Sequence, residues 1–382
     1  MKFFHLSDLH IGKQLHGYSL KEDQEHILKE VVAYAKVLKP DAVIIAGDVY
    51  DKSVPSAEAV QLFNRFLTEV FALPDPVAIL VISGNHDSAE RLRYAEEILE
   101  TQQIYLAGKL PETPQERIKK VTLKDAYGEV DFYLLPFLKP SYLKTGKEEG
   151  QPSSYTQAVE QLLLRENIDF QRRNVIVSHQ FYMGSSAPKT CDSEILSIGG
   201  LDSVEASLLL PFDYAALGHL HRGQKIKAEH IRYCGTLLKY SVSESGDEKT
   251  LKVVTLEEKG KAASVEEFPL HPRRDVKTKR GTLEEILAEA KEEEREDYVS
   301  ITLTDEVQPF KPREQLERKF SHILEIKADN SRTRSRVLME AEPVLLRSPL
   351  ENFRLFYREI QGRELTGSEE EILQEICREM EE

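Results

Sequence analysis

Apolar runs alternate with helical patterns in the N-terminal part of the chain. The runs at residues 2–6, 42–46 and 77–82 are continuous and bounded by charged residues, glycine or proline, which predicts buried strands. Between them, residues 20–38 and 56–73 carry apolar side chains at helical spacing. This β-α-β-α-β order predicts a layered α/β domain with a largely parallel central sheet.

The same alternation continues to about residue 270. Strand-like runs occupy residues 130–135, 174–178 and 214–217, and residues 155–167 show a helical pattern. Three further runs are predicted to be antiparallel strands: residues 231–234, 237–242 and 251–256. Together these elements predict a two-sheet α/β sandwich, which we assign to residues 1–270.

A proline-flanked basic stretch at residues 269–274 marks a change of character, and a smaller unit is predicted after it. Its predicted elements, in chain order, are a strand at 276–279, an acidic helix from Leu283, a strand at 298–303, a short helix near 313–319 and a strand at 323–326. We therefore predict a small α+β domain over residues 271–330.

Two amphipathic helices are predicted at the C-terminal end, beyond a polar, Arg-rich linker at residues 331–347. Ser348 and Ser368 each begin a capping box, so residues 348–382 form a helical region. Its apolar face is predicted to carry seven partner-binding side chains: Phe353, Phe356, Tyr357, Ile360, Ile372, Leu373 and Ile376. This face either packs against its own chain or fills a groove of a partner protein.

Composition adds constraints of a different kind. The chain opens without a signal peptide, and no apolar run reaches the roughly 20 residues needed to span a membrane, so we expect a cytoplasmic protein. The three scattered cysteines form no CxxC pair, which argues against a disulfide framework and a thiolate metal site. The net charge of −15 is unusual for a nucleic-acid enzyme, although the acidic residues are concentrated at 284–297 and 369–382.

Metal-binding side chains follow several of the predicted strands directly. These residues are Asp8 and His10, then Asp48, Asn85 and His179, and finally His219 and His221. Ligands in α/β sheets bind at the carboxyl ends of strands, so the seven are predicted to form one site. Seven oxygen and nitrogen donors are too many for a single catalytic ion with an open position, and they favour two ions that share a carboxylate.

Each motif taken alone has a plainer interpretation. Asp8 or His10 could be a cap or a surface residue, His179 could be structural, and the segment Gly84-Asn85-His86-Asp87 could be an ordinary turn. The segment Gly218-His219-Leu220-His221 is more specific, because alternation puts both imidazoles on one side of an extended chain. The order of all the motifs together, each after a strand, argues for the shared site.

This ordered set resembles the calcineurin-like metallophosphoesterases over about residues 1–270. The resemblance implies that Asp8, His10, Asp48 and His221 hold one ion, and that Asp48 bridges to a second ion held by Asn85, His179 and His219. It also implies that His86 is the catalytic residue, which stabilises the transition state or protonates the leaving oxygen. Asp87 would orient His86 or, as we favour, support the turn.

A closer resemblance, to the nuclease subunits of bacterial double-strand-break repair complexes, spans nearly the whole chain. It rests on the segments at 47–51 and 233–241, the small domain and the terminal helices. It implies two divalent ions, with Mn²⁺ as the expected metal, a 3′-to-5′ exonuclease on duplex DNA, and an endonuclease on single strands and hairpins. The small domain would be a capping domain, and the terminal helices would bind an ABC-type ATPase within a heterotetramer.

Three further features each have two interpretations. Related archaeal and eukaryotic nucleases carry histidine where this chain has Asp51, so Asp51 either supports the metal ligands or caps the following turn. Basic side chains from Arg273 to Arg280 either contact DNA or form a solvated strand. Val60, Phe63 and Leu67 belong either to a homodimer interface or to the core.

Two other functions share parts of this pattern. A metallophosphatase or phosphodiesterase acting on small phosphate esters would use the same metal site, but it needs neither a capping domain nor terminal partner helices. A non-catalytic scaffold would be expected to lose ligands, whereas every ligand position in this chain is filled.

Overall fold

The fold was determined as a computed structural model of the chain. It describes residues 1–113, 115–143, 152–184, 188–194, 202–331 and 333, and beyond these residues 353, 354, 357, 365–367, 369, 370 and 373. Within these residues, the helices are all too short or too polar to cross a membrane.

Strands and helices alternate as the hydrophobic pattern predicts. The strands are β1 (Lys2–Leu6), β2 (Gln14–Leu15), β3 (Tyr18–Ser19), β4 (Ala42–Ala46), β5 (Ala78–Ile82), β6 (Ile104–Ala107), β7 (Lys119–Asp125), β8 (Gly128–Leu135), β9 (Arg173–His179), β10 (Phe181–Met183), β11 (Ser203–Glu205), β12 (Tyr214–Gly218), β13 (Gln224–Ile226), β14 (Ala228–Tyr233), β15 (Thr250–Thr255), β16 (Ser264–Pro269), β17 (Val276–Gly281), β18 (Tyr298–Leu303) and β19 (His322–Ala328). The helices are α1 (Lys21–Leu38), α2 (Ala57–Phe71), α3 (Ala89–Leu92), α4 (Glu96–Glu100), α5 (Tyr155–Arg165), α6 (Leu283–Glu289) and α7 (Pro312–Leu316).

Two six-stranded mixed sheets form the body of the protein. The first has the order β16-β15-β1-β4-β5-β6, and its strands β1, β4, β5 and β6 are parallel. The second has the order β13-β14-β12-β9-β8-β7, with β14, β12, β9 and β8 parallel. Antiparallel strands flank these parallel strands: β15 and β16 on one side of the first sheet, and β13 and β7 on the two sides of the second. The other edge of the first sheet is the parallel strand β6.

The two sheets pack face to face through alternate side chains of their strands. Ile44 and Leu80 of the first sheet share one buried cluster with Phe132, Val175 and Ala216 of the second. The side chains between them along each strand point to the outer face of the sheet. There α1 and α2 cover the first sheet, and α5 covers the second. Because both faces of each sheet are buried, the strands have the nearly continuous apolar character that marked them in the sequence. The predicted two-sheet α/β sandwich is confirmed.

The small α+β unit follows as a separate three-stranded parallel sheet, β17-β18-β19, with α6 and α7 packed on it. A capping box at Thr282 and Glu285 begins α6. The unit is anchored to α1 through Asp23, a buried carboxylate that accepts a hydrogen bond from the Tyr298 hydroxyl at 2.9 Å and pairs with Arg274 at 3.0 Å.

One of the strand predictions around residue 235 was wrong. Residues 237–242 do not form a strand, since Leu237, Leu238 and Tyr240 lie in an irregular segment with buried side chains. A buried loop has the same apolar composition as a strand, and only its hydrogen-bond partners distinguish the two. The predicted strand at 231–234 exists as β14, which pairs antiparallel with β13 and in parallel with β12. The run at 251–256 corresponds to β15, which pairs antiparallel with β1.

The C-terminal region is described only in part. Phe353 and Tyr357 are helical and their rings lie 6.4 Å apart, while Leu373 is buried. The Tyr357 hydroxyl donates to Glu369 at 2.8 Å, so the two predicted helical segments contact each other. Nearly all of the predicted linker lies outside the described residues. The same is true of four predicted partner-binding residues: Phe356, Ile360, Ile372 and Ile376.

Candidate metal centre

The predicted donor residues meet where the two sheets present the carboxyl ends of their parallel strands. In the first sheet, Asp8 and His10 follow β1, Asp48 follows β4, and Asn85 follows β5. In the second sheet, His179 ends β9, and His219 and His221 follow its neighbour β12. Strand order therefore brings together residues that are more than 200 positions apart in the chain.

Four of these residues have a left-handed backbone, which is uncommon for any residue except glycine. The φ angles are 52° at Asp8, 42° at His10, 50° at Asp48 and 100° at His219. Such conformations cost of the order of 1 kcal/mol or more each, and they persist where the surrounding structure requires them. Their concentration at one edge of the sandwich indicates a functional site.

At the same edge of the sandwich, two loop glycines lie very close to donor side chains. A Cβ atom at Gly84 would lie 2.7 Å from Cγ of Asp48 and nearer still to its Oδ1 atom. A Cβ atom at Gly218 would lie 2.8 Å from Nδ1 of His179 and nearer still to the carbonyl oxygen of Ala46. The two glycines thus allow the loops to approach the side chains of Asp48 and His179.

Asp8, His10 and His221 form the first group of donors. One potential ligand atom from each lies within 4.8 Å of those of the other two, and all three residues are buried. Nε2 of His10 lies 3.1 Å from Nε2 of His221 and 3.6 Å from Oδ2 of Asp48. The carboxylate of Asp8 is held by the backbone N–H of His219, which is 3.1 Å from both of its oxygens, and by the Ser7 hydroxyl.

Asp48, Asn85, His179 and His219 form the second group. Oδ1 of Asn85 lies 3.0 Å from Nε2 of His179 and 3.1 Å from Nδ1 of His219. Oδ2 of Asp48 lies 3.4 Å from Nε2 of His179 and faces the first group as well, so its carboxylate lies between the two groups. Nδ1–H of His179 donates to the carbonyl oxygen of Ala46 at 2.7 Å, which directs Nε2 toward the other donors.

The donor set fits metal ions better than it fits a hydrogen-bonded core. Nδ1 of His10 is buried and has no hydrogen-bond partner among the described residues. The Nε2 atoms of His10 and His221 face each other, and at most one of them can donate in the neutral state. Carboxylates, an amide oxygen and imidazoles are the ligand types that Mn, Fe and Zn ions accept.

The protonation states of three of the four histidine donors also suit metal binding. Burial opposes protonation of the fourth, His179, but the Asp48 carboxylate raises its pKa to about 9. Burial lowers the pKa of His219 to about 4 and that of His221 to about 3, and it lowers the pKa of His10 well below its usual value. These imidazoles therefore favour the neutral form, which has a free lone pair. Burial raises the pKa of Asp8 to about 7. Burial acts in the same direction on Asp48, but the neighbouring His179 outweighs it and lowers the pKa of Asp48.

His86 lies beside this centre and is oriented by the backbone of Asp51. Nδ1–H of His86 donates to the carbonyl oxygen of Asp51 at 2.9 Å, which leaves Nε2 available, and the His86 ring is 4.8 Å from that of His10. The Asp51 carboxylate pairs with Lys13 at 2.9 Å and lies 3.7 Å from Nδ1 of His10. Asp51 therefore supports both His86 and the edge of the metal centre.

Asp87 holds two of the metal-centre loops together. Its carboxylate accepts hydrogen bonds from the backbone N–H groups of Val49 at 3.1 Å, Tyr50 at 2.9 Å and Gly84 at 2.9 Å. The first two belong to the loop after β4 and the third to the loop after β5. These contacts describe a support for the turn rather than an orienting group for His86.

Comparison with known proteins identifies the family. Residues 1–223 match the model of the calcineurin-like phosphoesterases. Over 306 residues the chain is 33% identical to the SbcD subunit of the nuclease SbcCD from Staphylococcus saprophyticus, and the match covers 79% of this chain and 78% of the relative. The chain belongs to the SbcD family of nucleases. The SbcD protein of Staphylococcus epidermidis is similarly related to this SbcD-family chain, with 32% identity over 85% of the chain and 84% of the relative.

Three further matches were found for this SbcD-family chain. Residues 272–361 match a model described as the type 5 capsule protein repressor C-terminal domain. Among solved structures, GAP50 of the Plasmodium inner membrane complex aligns with a TM-score of 0.35 at 13% identity, over 71% of this chain and 89% of that one. A dimetal phosphatase from Danio rerio aligns with a TM-score of 0.35 at 14% identity, over 70% and 99% of the two chains.

A cleft of about 910 Å³ opens beside the second group of donors in this SbcD-family fold. Asn85 and His219 form part of its wall, and Phe137, Lys139 and Tyr142 line it further out. The ring of Phe137 is stacked near that of His219, with centroids 6.5 Å apart and planes at 23°. The cleft joins the metal centre to solvent, and its lining combines aromatic side chains with both basic and acidic ones.

The basic residues at positions 273–280 of the small unit form ion pairs with acidic side chains. Arg273 and Arg274 pair with Glu22 at 3.0 Å and 2.7 Å, and Lys277 pairs with Asp297 at 2.8 Å. Lys279 pairs with Glu294 at 2.7 Å and Arg280 with Asp329 at 2.5 Å. These local ion pairs neutralise the stretch, which argues against it as a major DNA contact.

The apolar residues considered for a dimer interface are divided between core and surface. Phe63 is buried and Leu67 packs against the core, whereas Val60 on the same helix α2 is 44% exposed. Core packing therefore explains Phe63 and Leu67.

The sequence pattern missed the residues that surround His221. Ser193, Glu194, Glu244 and Lys249 all contact His221 or one another, and Glu244 is fully buried. They lie in polar stretches that are typical of surface loops. Nothing in their spacing links them to the segment at residues 218–221.

Proposed function

We propose that this chain is the nuclease subunit of an SbcCD-type complex and hydrolyses phosphodiester bonds of DNA at a two-metal centre. The convergence of seven oxygen and nitrogen donors from five strand ends carries the proposal. Membership of the SbcD family of nucleases supports DNA as the substrate.

In this proposal Asp8, His10 and His221 would hold one ion, and Asn85, His179 and His219 would hold the other. The carboxylate of Asp48, which lies between the two groups, would be shared by both ions. Bound ions would polarise the phosphodiester and activate water for in-line attack on phosphorus. The mixture of oxygen and imidazole ligands without a thiolate is compatible with Mn²⁺, and we propose Mn²⁺ because the family resemblance implies it.

The residues around the ions have separate roles. His86 presents Nε2 next to the centre because its Nδ1–H is engaged by the Asp51 carbonyl oxygen. In its doubly protonated form, His86 would deliver the Nε2 proton to the leaving oxygen and return to the neutral imidazole. The N–H of His86 also donates to Oδ1 of Asp48 at 2.9 Å, which couples the position of His86 to the bridging carboxylate. Asp87 keeps the two loops in register through its three backbone contacts.

We further propose the activities of the family for this chain, namely a 3′-to-5′ exonuclease on duplex DNA and an endonuclease on single strands and hairpins. The processes would be DNA repair, recombination and replication in the cytoplasm. An SbcC-type ABC ATPase would supply ATP gating and much of the DNA-binding surface, which accommodates the net charge of −15. Residues 1–270 would be the nuclease domain and residues 271–330 the capping domain, in a homodimer within a heterotetramer.

The C-terminal helical region would bind this ATPase. Phe353 is 42% exposed although it is a large apolar side chain, and Tyr357 lies beside it. An exposed aromatic residue on a helix is a typical anchor for a groove in a partner. We propose the predicted apolar positions of residues 348–382 as the partner-binding face, except Leu373, which is buried.

The central test compares substrates and variants in the presence of Mn²⁺. We expect degradation of linear duplex DNA, its loss in Asp48→Ala and His86→Ala, and retention in the control His26→Ala, which changes an exposed histidine on α1. His86→Ala should still bind Mn²⁺, because His86 is not among the proposed ligands. Robust DNA cleavage by His86→Ala would refute the catalytic role, and turnover of a small chromogenic phosphodiester without turnover of DNA would favour the small-ester alternative.

The partner assignment is tested by co-purification. We expect Phe353→Asp to abolish co-purification with an SbcC-type ATPase while leaving Mn²⁺ binding unchanged, since Phe353 is remote in sequence from the donors. The control is Phe310→Asp, which alters another exposed phenylalanine in the small unit. Tight binding of the ATPase by the Phe353→Asp protein would exclude this face as the main contact.

A further inference from the structure

His221 is fixed by a hydrogen-bond network outside the seven donors. Its backbone N–H donates to the carboxylate of Glu194 at 2.6 Å, and its carbonyl oxygen accepts from Nζ of Lys249 at 3.0 Å. Its ring Nδ1 lies 2.7 Å from the hydroxyl oxygen of Ser193. Nε2 is thereby left as the ring nitrogen that faces the metal centre, 3.1 Å from Nε2 of His10.

Glu244 forms the other end of this network. Its side chain is completely buried, and it accepts hydrogen bonds from the hydroxyls of Ser193 at 2.9 Å and Ser241 at 2.8 Å. It also accepts from the backbone N–H of Tyr240 at 3.2 Å and pairs with Lys249 at 2.7 Å. A buried carboxylate is tolerated only when it is paired and hydrogen-bonded, so this degree of satisfaction makes Glu244 a rigid anchor.

The chemistry of the three groups sets the direction of the hydrogen bonds. An ionised carboxylate can only accept, so Ser193 donates its single hydroxyl hydrogen to Glu244. The oxygen of Ser193 then accepts from Nδ1–H of His221. This order selects the tautomer in which Nε2 of His221 carries a lone pair and can bind a metal.

We propose that Ser193 and Glu244 are positioning residues that hold the imidazole of His221 in the metal-binding tautomer and orientation. This inference rests on the proposed two-metal function and goes beyond it by adding a relay that controls one ion selectively. His221 belongs to the first donor group, whereas Asn85 and His179 of the second group have no link to Ser193 among the described contacts. Loss of the relay should therefore weaken the binding of one ion and leave the binding of the other unchanged.

A matched pair of substitutions tests the relay. Ser193→Thr keeps the hydroxyl and Ser193→Val replaces it by a methyl group of the same shape, so the two variants differ only in the hydrogen-bonding group. Calorimetric titration of each full-length variant with Mn²⁺ should show a loss of about 10- to 100-fold in affinity for one ion in Ser193→Val. The Thr variant should stay within about 3-fold of wild type, as expected when the hydrogen bond is retained.

Electron paramagnetic resonance and a second pair of variants complete the design. The signal of a coupled Mn²⁺ pair should require higher Mn²⁺ in Ser193→Val than in Ser193→Thr. Ser193→Ala provides a smaller hydroxyl-free variant, and it decides the matter if the Val variant fails to fold. The control Ser243→Ala removes the acceptor of the Asp192 N–H at 3.0 Å and a hydroxyl that lies 2.8 Å from that of Ser241. It leaves the contacts of Ser193 with His221 and Glu244 in place, so this variant should bind both ions normally.

The outcomes separate the inference from the function on which it rests. Wild-type affinity for both ions in Ser193→Val and Ser193→Ala would overturn the relay, and so would equal losses in the Val and Thr variants. Equal losses in Ser193→Ala and Ser243→Ala would overturn it too, because they would show only a disturbed segment. If the wild-type protein binds no Mn²⁺, the two-metal function itself fails.

Discussion

Gly84→Ala tests the geometry of the metal centre with the addition of one methyl group. The backbone of Gly84 is not in the left-handed region, so alanine brings no dihedral strain and its effect is steric. The new Cβ would lie 2.7 Å from Cγ of Asp48, whereas ordinary contacts begin at 3.4 Å. The carboxylate must therefore move by about 0.7 Å or more, well beyond the ~0.2 Å tolerance of metal–ligand distances.

The cost should appear in both folding and metal binding, because the new Cβ would also lie against the backbone nitrogen of Asp48. Rotation of the Asp48 side chain relieves its own contact with the methyl group but not that of its backbone nitrogen, so the unfolding midpoint in EDTA should also fall. Binding of the ions requires the carboxylate to return, and overpacking costs about 1–3 kcal/mol, which corresponds to about 30-fold weaker Mn²⁺ binding at 2 kcal/mol. Displacement of Asp48 also breaks its 2.9 Å hydrogen bond with the N–H of His86, so DNA cleavage should fall further than metal affinity.

The assay is calorimetric titration with Mn²⁺ together with DNA cleavage at saturating Mn²⁺. Gly246→Ala is the matched control, because a Cβ atom there would meet no other atom within 4 Å. Gly246→Ala should behave as wild type in both measurements. Wild-type Mn²⁺ affinity in Gly84→Ala would refute the reasoning, since it would show that Asp48 is not needed where the structure places it.

Three other predictions concern stability. Burial opposes ionisation of Asp125, but its ion pair with Arg173 lowers its pKa below the usual value. The pair therefore stabilises the fold above pH ~4, and this stabilisation is lost as the pH falls. The unfolding midpoint of Asp125→Asn should decrease less than that of wild type between pH 7 and pH 3, and an equal decrease would contradict this. Tyr298→Phe removes the hydrogen bond to Asp23 and should lower the free energy of unfolding by about 1 kcal/mol in denaturant titrations, whereas an unchanged value would show that the hydrogen bond contributes nothing. Mn²⁺ at 100 times its Kd should stabilise the protein by about 2.7 kcal/mol per site over the EDTA-treated form, and identical melting curves would exclude binding to the folded state.

Strand positions were predictable because they depend on local pattern. Buried strands such as β4 and β5 are continuous apolar runs, and the donors follow directly after them in the sequence. Parallel strands then bring their carboxyl ends to one edge, so the gathering of Asp8, Asp48 and Asn85 followed from strand order. The roles of these residues as ligands remain a prediction for the metal titrations.

The sequence by itself therefore determined the two-sheet architecture, the small α+β unit and the set of donors that meet at one edge. Only the tertiary structure decided that residues 237–242 form a buried loop, and that Asp51 supports His86 through its carbonyl oxygen. It also decided that Glu244, 51 positions from Ser193, anchors the hydroxyl that orients His221. Hydrophobic period is a property of neighbouring residues and can be read along the chain, whereas hydrogen bonds between distant polar side chains depend on where the folded backbone places them.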